Sequence, residues 1–275
     1  MGPTLRKRQL AELLQKLRHE AGAGMIRVQE ELGCSRAKVT HLETGRNLPS
    51  KPDLELMLRL YGRLDLLGEL ETVRVAAHEQ SWFDTYRLPR WMRGYIGLET
   101  DAVEARCFAL ELVPGLLQTE AYARDTLVRQ GNSPEDVERG VRVRLERQRR
   151  LGGDLALSVV MSEALLARSV HIGSGVEQLR HLVTTYEEEP GVRVRVLPFS
   201  VGGHRSMSGS FTLLDFPPGV SARVAYQEYA IGGHLLDDQE AVGKLSALYE
   251  VLFQQSLSVG DSARLIERYA GGHQE

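Results

Sequence analysis

The stretch that decides the fold of the first part of the chain is Glu31-Leu-Gly-Cys-Ser-Arg-Ala-Lys-Val-Thr-His-Leu-Glu-Thr-Gly-Arg-Asn-Leu-Pro-Ser50. Its centre predicts a helix over residues 36–44, because Ser35 is a good N-cap. Val39 and Leu42 lie three residues apart and therefore share one apolar face of that helix. The stretch thus predicts a short helix with a defined start and a buried side.

A second short helix is predicted just before it, over residues 25–32, ending at Gly33, a residue suited to the left-handed conformation that terminates helices. Two short helices joined by a tight glycine-containing turn form a helix-turn-helix, whose second helix can enter the major groove of DNA. Apolar spacing predicts three further helices, over residues 4–21, 53–61 and 65–78. We therefore predict an all-α five-helix domain over residues 1–80.

Charge along the chain is divided unevenly. Residues 1–51 contain ten Lys or Arg and five Glu, a net charge of +5. Since the whole chain has a formal net charge of -3, residues 52–275 carry -8. A basic first part favours a phosphate-bearing partner, although chance clustering of charge on a solvated surface is the alternative.

Within the opening stretch, the run Leu-Gly-x-Ser, followed by Val-x-x-Leu-Glu-x-Gly and a closing Pro, resembles the Xre-type helix-turn-helix of phage-repressor-like regulators. The resemblance implies that the third helix reads base edges and that the loop after it holds the DNA backbone. The residues that it assigns to DNA binding are Arg36, Ala37, Lys38, Thr40, His41, Arg46 and Asn47. Arginine can pair with guanine and alanine can contact a thymine methyl group. An ordinary solvated helix face is the alternative.

Two other features of the sequence relate to this resemblance. The family joins an arginine of the first helix to the glutamate of Leu-Glu-x-Gly, which implies a structural pair between Arg18 and Glu43. The family also has a glutamine at the start of the second helix, where it bonds a phosphate. This chain has Met25 there, so we expect that contact to be lost.

Strand and helix patterns in residues 81–275 predict an α+β domain with a small, mainly antiparallel sheet. Strands are predicted over residues 155–161, 192–197, 210–216 and 222–228. Helices are predicted over residues 119–130, 133–151, 162–168, 175–188 and 238–256, with a short one after Ser258. The arginines of residues 133–151 are interpreted as a solvated helix face in preference to a second DNA contact. The predicted fold class is thus multi-domain, a helical domain followed by an α+β domain.

Four segments of this second part resemble the domain of unknown function that follows an Xre helix-turn-helix in many actinobacterial, antitoxin-like regulators. They begin at Tyr95, Leu112, Val196 and Gly209. The resemblance implies a domain that binds a small partner protein from a neighbouring gene or that self-associates. Side chains that suit such a partner or a ligand are Trp82, Trp91, Tyr95, His204 and Arg205. The alternative, which the aromatic density favours, is that the aromatic residues anchor one domain on another or fill a core, and that residues 201–209 form a flexible loop.

The sequence contains no clear signature of a metal site, a cofactor site or a catalytic site. The eight histidines are scattered and the two cysteines lie far apart, so we expect no metal, and no cofactor motif occurs. No apolar stretch reaches the length of a membrane helix, and no signal-peptide core follows the N-terminus. We therefore expect a cytoplasmic protein with no catalytic residues.

The leading hypothesis is a homodimeric transcription regulator that binds a double-stranded DNA operator and a small protein. A dimer is expected because two recognition helices about one DNA turn apart read a palindrome. The first alternative makes the second domain a small-molecule sensor, with a pocket between the sheet and the aromatic residues. The second alternative is an enzyme that uses His204 in the loop of residues 201–209.

Overall fold

The computed structural model describes residues 1–151 and 153–272. It divides the chain into two compact units. The first unit is Met1–Thr85 with Pro218–Ser221, and the second is Tyr86–Pro217 with Ala222–Glu275. A functional division at residue 80 stays a prediction.

Five α-helices form the first unit, as the apolar spacing predicts. They are α1 (Pro3–Glu20), α2 (Met25–Leu32), α3 (Arg36–Glu43), α4 (Lys51–Leu60) and α5 (Leu67–Ala76). Val28 of α2, Val39 of α3 and Leu54 of α4 are fully buried together with Leu14 of α1. One apolar core thus fixes α2 and α3 against the other helices.

Local signals set the ends of these helices. Gly33 ends α2 in the left-handed region, with φ 56° and ψ 40°. Ser35 begins α3, and its side chain accepts a hydrogen bond from the backbone amide of Lys38. Ser50 and Asp53 form a reciprocal capping box that begins α4. The Ser35 and Ser50 caps satisfy amides that a helix leaves free at its start, and the amide of Gly33 donates to a carbonyl at the end of α2.

A single six-stranded sheet forms the centre of the second unit. Its strands are β1 (Glu104–Ala109), β2 (Ala156–Ser162), β3 (Val192–Leu197), β4 (Phe211–Asp215), β5 (Val224–Tyr229) and β6 (Gly232–Leu236). They lie in the order β3-β2-β1-β4-β5-β6. The pairs β3/β2 and β2/β1 are parallel, and the other three pairs are antiparallel. The prediction of a small, mainly antiparallel sheet is therefore wrong, because the sheet is larger and mixed.

The parallel half follows from the helices between its strands. Parallel neighbours need a long crossover, which α-helices usually supply. The pair α7 (Glu120–Arg129) and α8 (Pro134–Gln148) connects β1 to β2, and the pair α9 (Glu163–Ser169) and α10 (Gly175–Glu188) connects β2 to β3. The sequence correctly predicted these helices but not β1, without which the crossover to β2 was not evident.

Three more helices complete the second unit: α6 (Arg90–Asp101), α11 (Gln239–Gln255) and α12 (Val259–Gly271). Tyr249 and Leu252 of α11 pack with Phe108 of β1 and Leu213 of β4 in a buried cluster. The Tyr249 hydroxyl donates to the Ser158 carbonyl at 3.0 Å. This helix therefore covers one face of the sheet. None of the helices in the described residues is both long and apolar enough to cross a membrane.

Candidate nucleic-acid interface

The third helix presents a polar surface opposite its buried side. Arg36, Ala37 and Thr40 are exposed, whereas Val39 and Leu42 are buried in the core of the first unit. Thr40 lies three residues after Ala37 and four after Arg36, and residues at those spacings are neighbours on one helix face, so the three exposed side chains form one continuous surface. The arrangement gives this surface a guanidinium, a methyl group and a hydroxyl group, the chemistry that reads base edges.

Lys38 has a structural partner on a neighbouring helix. Its ammonium lies 3.0 Å from a carboxylate oxygen of Asp53 in α4. Burial pushes the pKa of Asp53 upward, but hydrogen bonds from Lys38 and Ser50 outweigh it and lower that pKa. Lys38 thus ties α3 to the start of α4, and its role in DNA binding stays a prediction.

The turn after α3 brings His41, Arg46 and Asn47 together. The Asn47 amide donates to the His41 carbonyl at 3.0 Å, and the Arg46 guanidinium lies 3.5 Å from the His41 ring. Lys7 of α1 donates to the Arg46 carbonyl at 2.9 Å. Gly45 permits the turn, because its φ of 64° is one that other residues rarely adopt. Arg46 and Asn47 are both exposed, as a backbone-contacting loop requires.

A buried ion pair fixes the end of α3. Arg18 of α1 donates to both carboxylate oxygens of Glu43, at 2.7 and 3.0 Å, and also to the Ala23 carbonyl at 3.2 Å. The hydrogen bond to Glu43 raises the pKa of Arg18 although burial lowers it. The structural pair implied by the resemblance is confirmed, and it holds α3 on α1.

The helices before and after α3 include one residue that was expected to lose a phosphate contact and two basic residues that were assigned no role. Met25 is half-buried and packs against the apolar core, so its side chain is used for packing. Arg27 of α2 and Lys51 of α4 are exposed basic residues. In the sequence, these two residues were noted only as part of the positive charge of residues 1–51.

Candidate ligand residues of the second part fall into separate groups. Trp91 and Tyr95 of α6 both stack on Tyr226 of β5, with ring centroids 6.5 and 4.1 Å apart. The Tyr95 hydroxyl donates to Glu99 at 2.7 Å. Burial and then the charge of Glu99 raise the pKa of Tyr95. Trp82 belongs to the first unit, where it packs edge-on against Phe83.

His204 and Arg205 line a different place, a groove of about 440 Å³ with Met207 and with Val251 and Gln255 of α11. Burial lowers the pKa of His204, whose ring packs edge-on against Phe108. The lining of the groove includes neither Trp91 nor Tyr95. The five predicted residues are therefore not one site.

Two arginines of α8 form a polar network that the sequence reasoning did not identify. Arg147 donates to both carboxylate oxygens of Glu99 in α6, each at 2.7 Å. Arg144 donates to the Gln118 side chain at 2.9 Å. Burial, and then the positive charge of Arg147, lower the pKa of Arg144 to about 10. For these two arginines the interpretation as a solvated helix face is wrong, because they point into the unit.

Among the described residues, no group of three His, Cys, Asp or Glu side chains is placed to hold a metal ion.

Comparison with protein families agrees with the division of the chain. Residues 9–70 match the family described as a helix-turn-helix domain, so the first unit is of the class found in DNA-binding regulators. Residues 92–268 match the family described as Domain of unknown function (DUF5753), which covers more than half of the sequence. The chain belongs to that family. No curated protein and no solved structure matches this chain.

Proposed function

We propose that this chain is an Xre-type, sequence-specific transcription regulator that binds double-stranded operator DNA as a homodimer. The observation that carries the proposal is the exposed surface of Arg36, Ala37 and Thr40 on α3. The opposite side of that helix is fixed by the apolar core and by the Arg18–Glu43 pair. A rigid helix with a free polar face is what major-groove reading requires.

In this proposal Arg36 pairs with a guanine and Ala37 contacts a thymine methyl group. Thr40 and His41 flank them, and Arg46 and Asn47 bind phosphates and set the register. Lys38 contributes positive charge from its position beside Asp53.

Titration of DNA fragments from the chain's own promoter region, followed by fluorescence anisotropy, tests this function. We expect Arg36→Ala to weaken specific binding about tenfold or more while binding to unrelated DNA changes little, since one bidentate base contact contributes about 1–3 kcal/mol of discrimination. Arg180→Ala is the matched control, because Arg180 is an exposed arginine of the second unit. Equal specific binding by wild type, Arg36→Ala and His41→Ala would show that α3 does not read the operator.

For the second unit we propose that it binds a small partner protein in an antitoxin-like manner. The feature that supports this is the exposed apolar surface of Met207 and Val251, which are 63% and 49% exposed beside Arg205 in the groove. Purification of the intact protein from its own cells tests the proposal. We expect a small protein to co-purify with wild type and to be lost from Met207→Asp, whereas Leu112→Asp, at another exposed apolar residue, retains it.

A second candidate is a small-molecule sensor that uses the same groove, because its volume suits a small ligand and it includes the polar groups of His204 and Arg205. We propose no catalytic role for the loop of residues 201–209. The Ser206 hydroxyl donates to the Gly209 carbonyl at 2.9 Å and is engaged there. A serine nucleophile would instead have to donate its hydroxyl hydrogen bond to the histidine that removes its proton.

A further inference from the structure

The groove between the loop of residues 201–209 and α11 has a fixed apolar floor. Leu252 is fully buried in the cluster that covers the sheet, and Leu248 packs against that cluster. Val251 lines the same groove three residues after Leu248, so these two side chains share one face of α11. Met207 lines the groove from the loop and is exposed. The groove therefore offers an apolar surface whose floor is held by the core.

Arg205 gives the groove a positive charge. Its side chain is exposed, and in the part of the chain that the structure describes it makes neither an ion pair nor a hydrogen bond. Burial lowers the pKa of His204, another residue of the lining, so that ring favours its neutral form. No carboxylate belongs to the described lining, and Glu250, next to Val251 in α11, is bonded to Arg106 at 2.9 Å. The Arg205 guanidinium is thus available to an anion from outside the chain.

Consecutive backbone amides add neutral donors to the same wall of the groove. Gly203, His204 and Arg205 all line it. None of their N–H groups donates a hydrogen bond to another described residue. The Met207 amide donates to the His204 carbonyl at 3.3 Å, which holds these residues in a turn. Successive amides in a turn form concavities that bind carboxylate or phosphate groups, so the loop combines charged and neutral donors for one anion.

We propose that the groove binds the C-terminal residue of the small partner protein. The terminal carboxylate accepts hydrogen bonds from Arg205 and from the amides of residues 203–205. The apolar side chain of that residue packs on Leu252, between Met207 and Val251. This inference rests on the proposed partner binding and names what the groove recognises. Capture of a terminal carboxylate by successive backbone amides is one of the recurring modes of peptide recognition.

A C-terminal residue fits both features of the groove at once. Its carboxylate and its side chain are attached to one Cα, which suits a groove of about 440 Å³ that has donors on one wall and an apolar floor. A phosphate group would use the donors but would leave the apolar floor uncovered. A purely apolar segment would cover the floor but would not use the guanidinium. Charge and shape together therefore favour an apolar terminal residue.

The exposed rim of the groove favours a protein chain over a small molecule. Small-molecule sites usually enclose about 70–90% of the surface of their ligand. Gly203, Arg205, Met207 and Val251 are all exposed, so one side of the occupant remains in solvent. The preceding residues of a bound chain can leave the groove along that side.

Peptides with and without a terminal carboxylate test the inference. The probes are two fluorescent peptide pools, randomised at their last few positions, that end either in a free carboxylate or in a carboxamide. We expect the full-length protein to retain the carboxylate pool about tenfold more than the carboxamide pool, because the amide forfeits a charge-assisted hydrogen bond. The retained peptides should end in an aliphatic or aromatic residue. Equal retention of the two pools, or retention of neither, would overturn the inference.

Arg205→Gln should lower retention of the carboxylate pool about tenfold and leave retention of the carboxamide pool unchanged. Arg180→Gln is the matched control, because Arg180 is an exposed arginine elsewhere in the second unit, and it should behave as wild type. Circular dichroism checks that both variants keep the fold. An Arg205→Gln protein that still prefers the carboxylate pool would contradict the assignment of the guanidinium to the terminus.

The apolar contact has a test of its own. Val251→Asp places a carboxylate beside the bound terminus and should lower retention of the carboxylate pool about tenfold, whereas Val128→Asp, at an exposed valine of α7, should not. Octanoate serves as a competitor that has an apolar chain and a carboxylate but no peptide. Displacement of the retained peptides by octanoate at a lower concentration than by the same peptides unlabelled would assign the groove to a small carboxylic acid and overturn the inference.

Purification of the intact protein from its own cells separates this inference from the proposed function. A small protein that is lost from Met207→Asp but persists in Arg205→Gln would support the proposed function and overturn the inference, since the partner would then bind the groove without its terminus. Absence of any co-purifying small protein would contradict the proposed function, whereas the peptide pools would still show whether the groove takes a terminal carboxylate.

Discussion

At the scale of single residues, neighbouring basic side chains of α3 have different environments. Arg36 is exposed at the first position of the helix, whereas Lys38 is bonded to Asp53. In sequence both are positive residues near the start of one helix, and the resemblance assigned both to DNA. The carboxylate of Asp53 is fifteen positions away in the chain. Only the packing of α4 beside α3 brings it to Lys38.

Gly33 provides a residue-scale prediction about the turn between α2 and α3. A Cβ added there meets no atom within 4 Å, so Gly33→Ala tests backbone conformation alone. Because φ is 56°, we expect the free energy of unfolding to fall by about 1 kcal/mol. Chemical denaturation of the purified protein measures it.

Gly68→Ala in α5 is the matched control for that measurement. Its added Cβ also meets nothing within 4 Å, and its φ is not positive. Alanine is the better helix former, so we expect a gain of about 0.5–1 kcal/mol. Opposite signs for the two changes support the role of Gly33 as the left-handed C-cap, and a stabilising Gly33→Ala would contradict it.

At the scale of elements, α6 and α8 are joined by the pair of Glu99 and Arg147. The Glu99 side chain is 4% exposed and accepts two hydrogen bonds from Arg147 as well as one from Tyr95. Burial tends to lower the pKa of Arg147, but the charge of Glu99 outweighs it and raises that pKa. Each ion of the pair thus depends on the other for compensation of its burial.

Glu99→Gln should therefore lower the free energy of unfolding of the second unit by about 3 kcal/mol, because it leaves a buried cation without its carboxylate. Denaturant unfolding followed by tryptophan fluorescence measures the loss. Glu146→Gln in α8 is the control, since Glu146 pairs with the largely exposed Arg149. We expect it to change stability by less than about 0.5 kcal/mol. Equal losses would mean that Glu99–Arg147 contributes no more than a surface pair.

The strands show where sequence reasoning succeeded and where it failed. Val192–Leu197 alternates apolar and charged residues and was correctly predicted as a strand. Glu104–Ala109 is rich in alanine and charge, and Gly232–Leu236 begins with two glycines, so neither has strong strand propensity. Both exist because neighbouring strands pair with them. Sheet order was not predictable for the same reason, since it depends on pairs distant in sequence.

At the scale of the whole molecule, the +5 charge of residues 1–51 is a local property within a chain of net charge -3. DNA affinity depends on the field near the bound phosphates, because charges beyond about one Debye length are screened. The acidic remainder should therefore not prevent DNA binding. We expect the negative charge of residues 52–275 to reduce the rate of association with DNA at low salt.

Salt dependence gives a prediction at this scale. Each phosphate contact contributes about -0.9 to the slope of log affinity against log salt concentration. We expect Arg46→Ala to reduce the magnitude of the slope by about 0.9 per bound subunit, with equal weakening on operator and unrelated DNA. Anisotropy titrations from 50 to 200 mM salt measure it. An unchanged slope would show that Arg46 makes no phosphate contact, and Arg180→Ala should leave the slope at its wild-type value.

The sequence by itself determined the five helices of the first unit, the Gly33 and Ser35 caps on either side of the turn between α2 and α3, the Arg18–Glu43 pair through its resemblance, and the helices of the second unit between residues 119 and 188. These depend on periodicity and on contacts within a few residues, or on a motif that fixes a known arrangement. Tertiary structure alone decided the mixed sheet, the inward direction of Arg144 and Arg147, and the separation of Trp91 and Tyr95 from His204. Each of these depends on which distant segments meet, and the free energy of such contacts is not encoded at any one position.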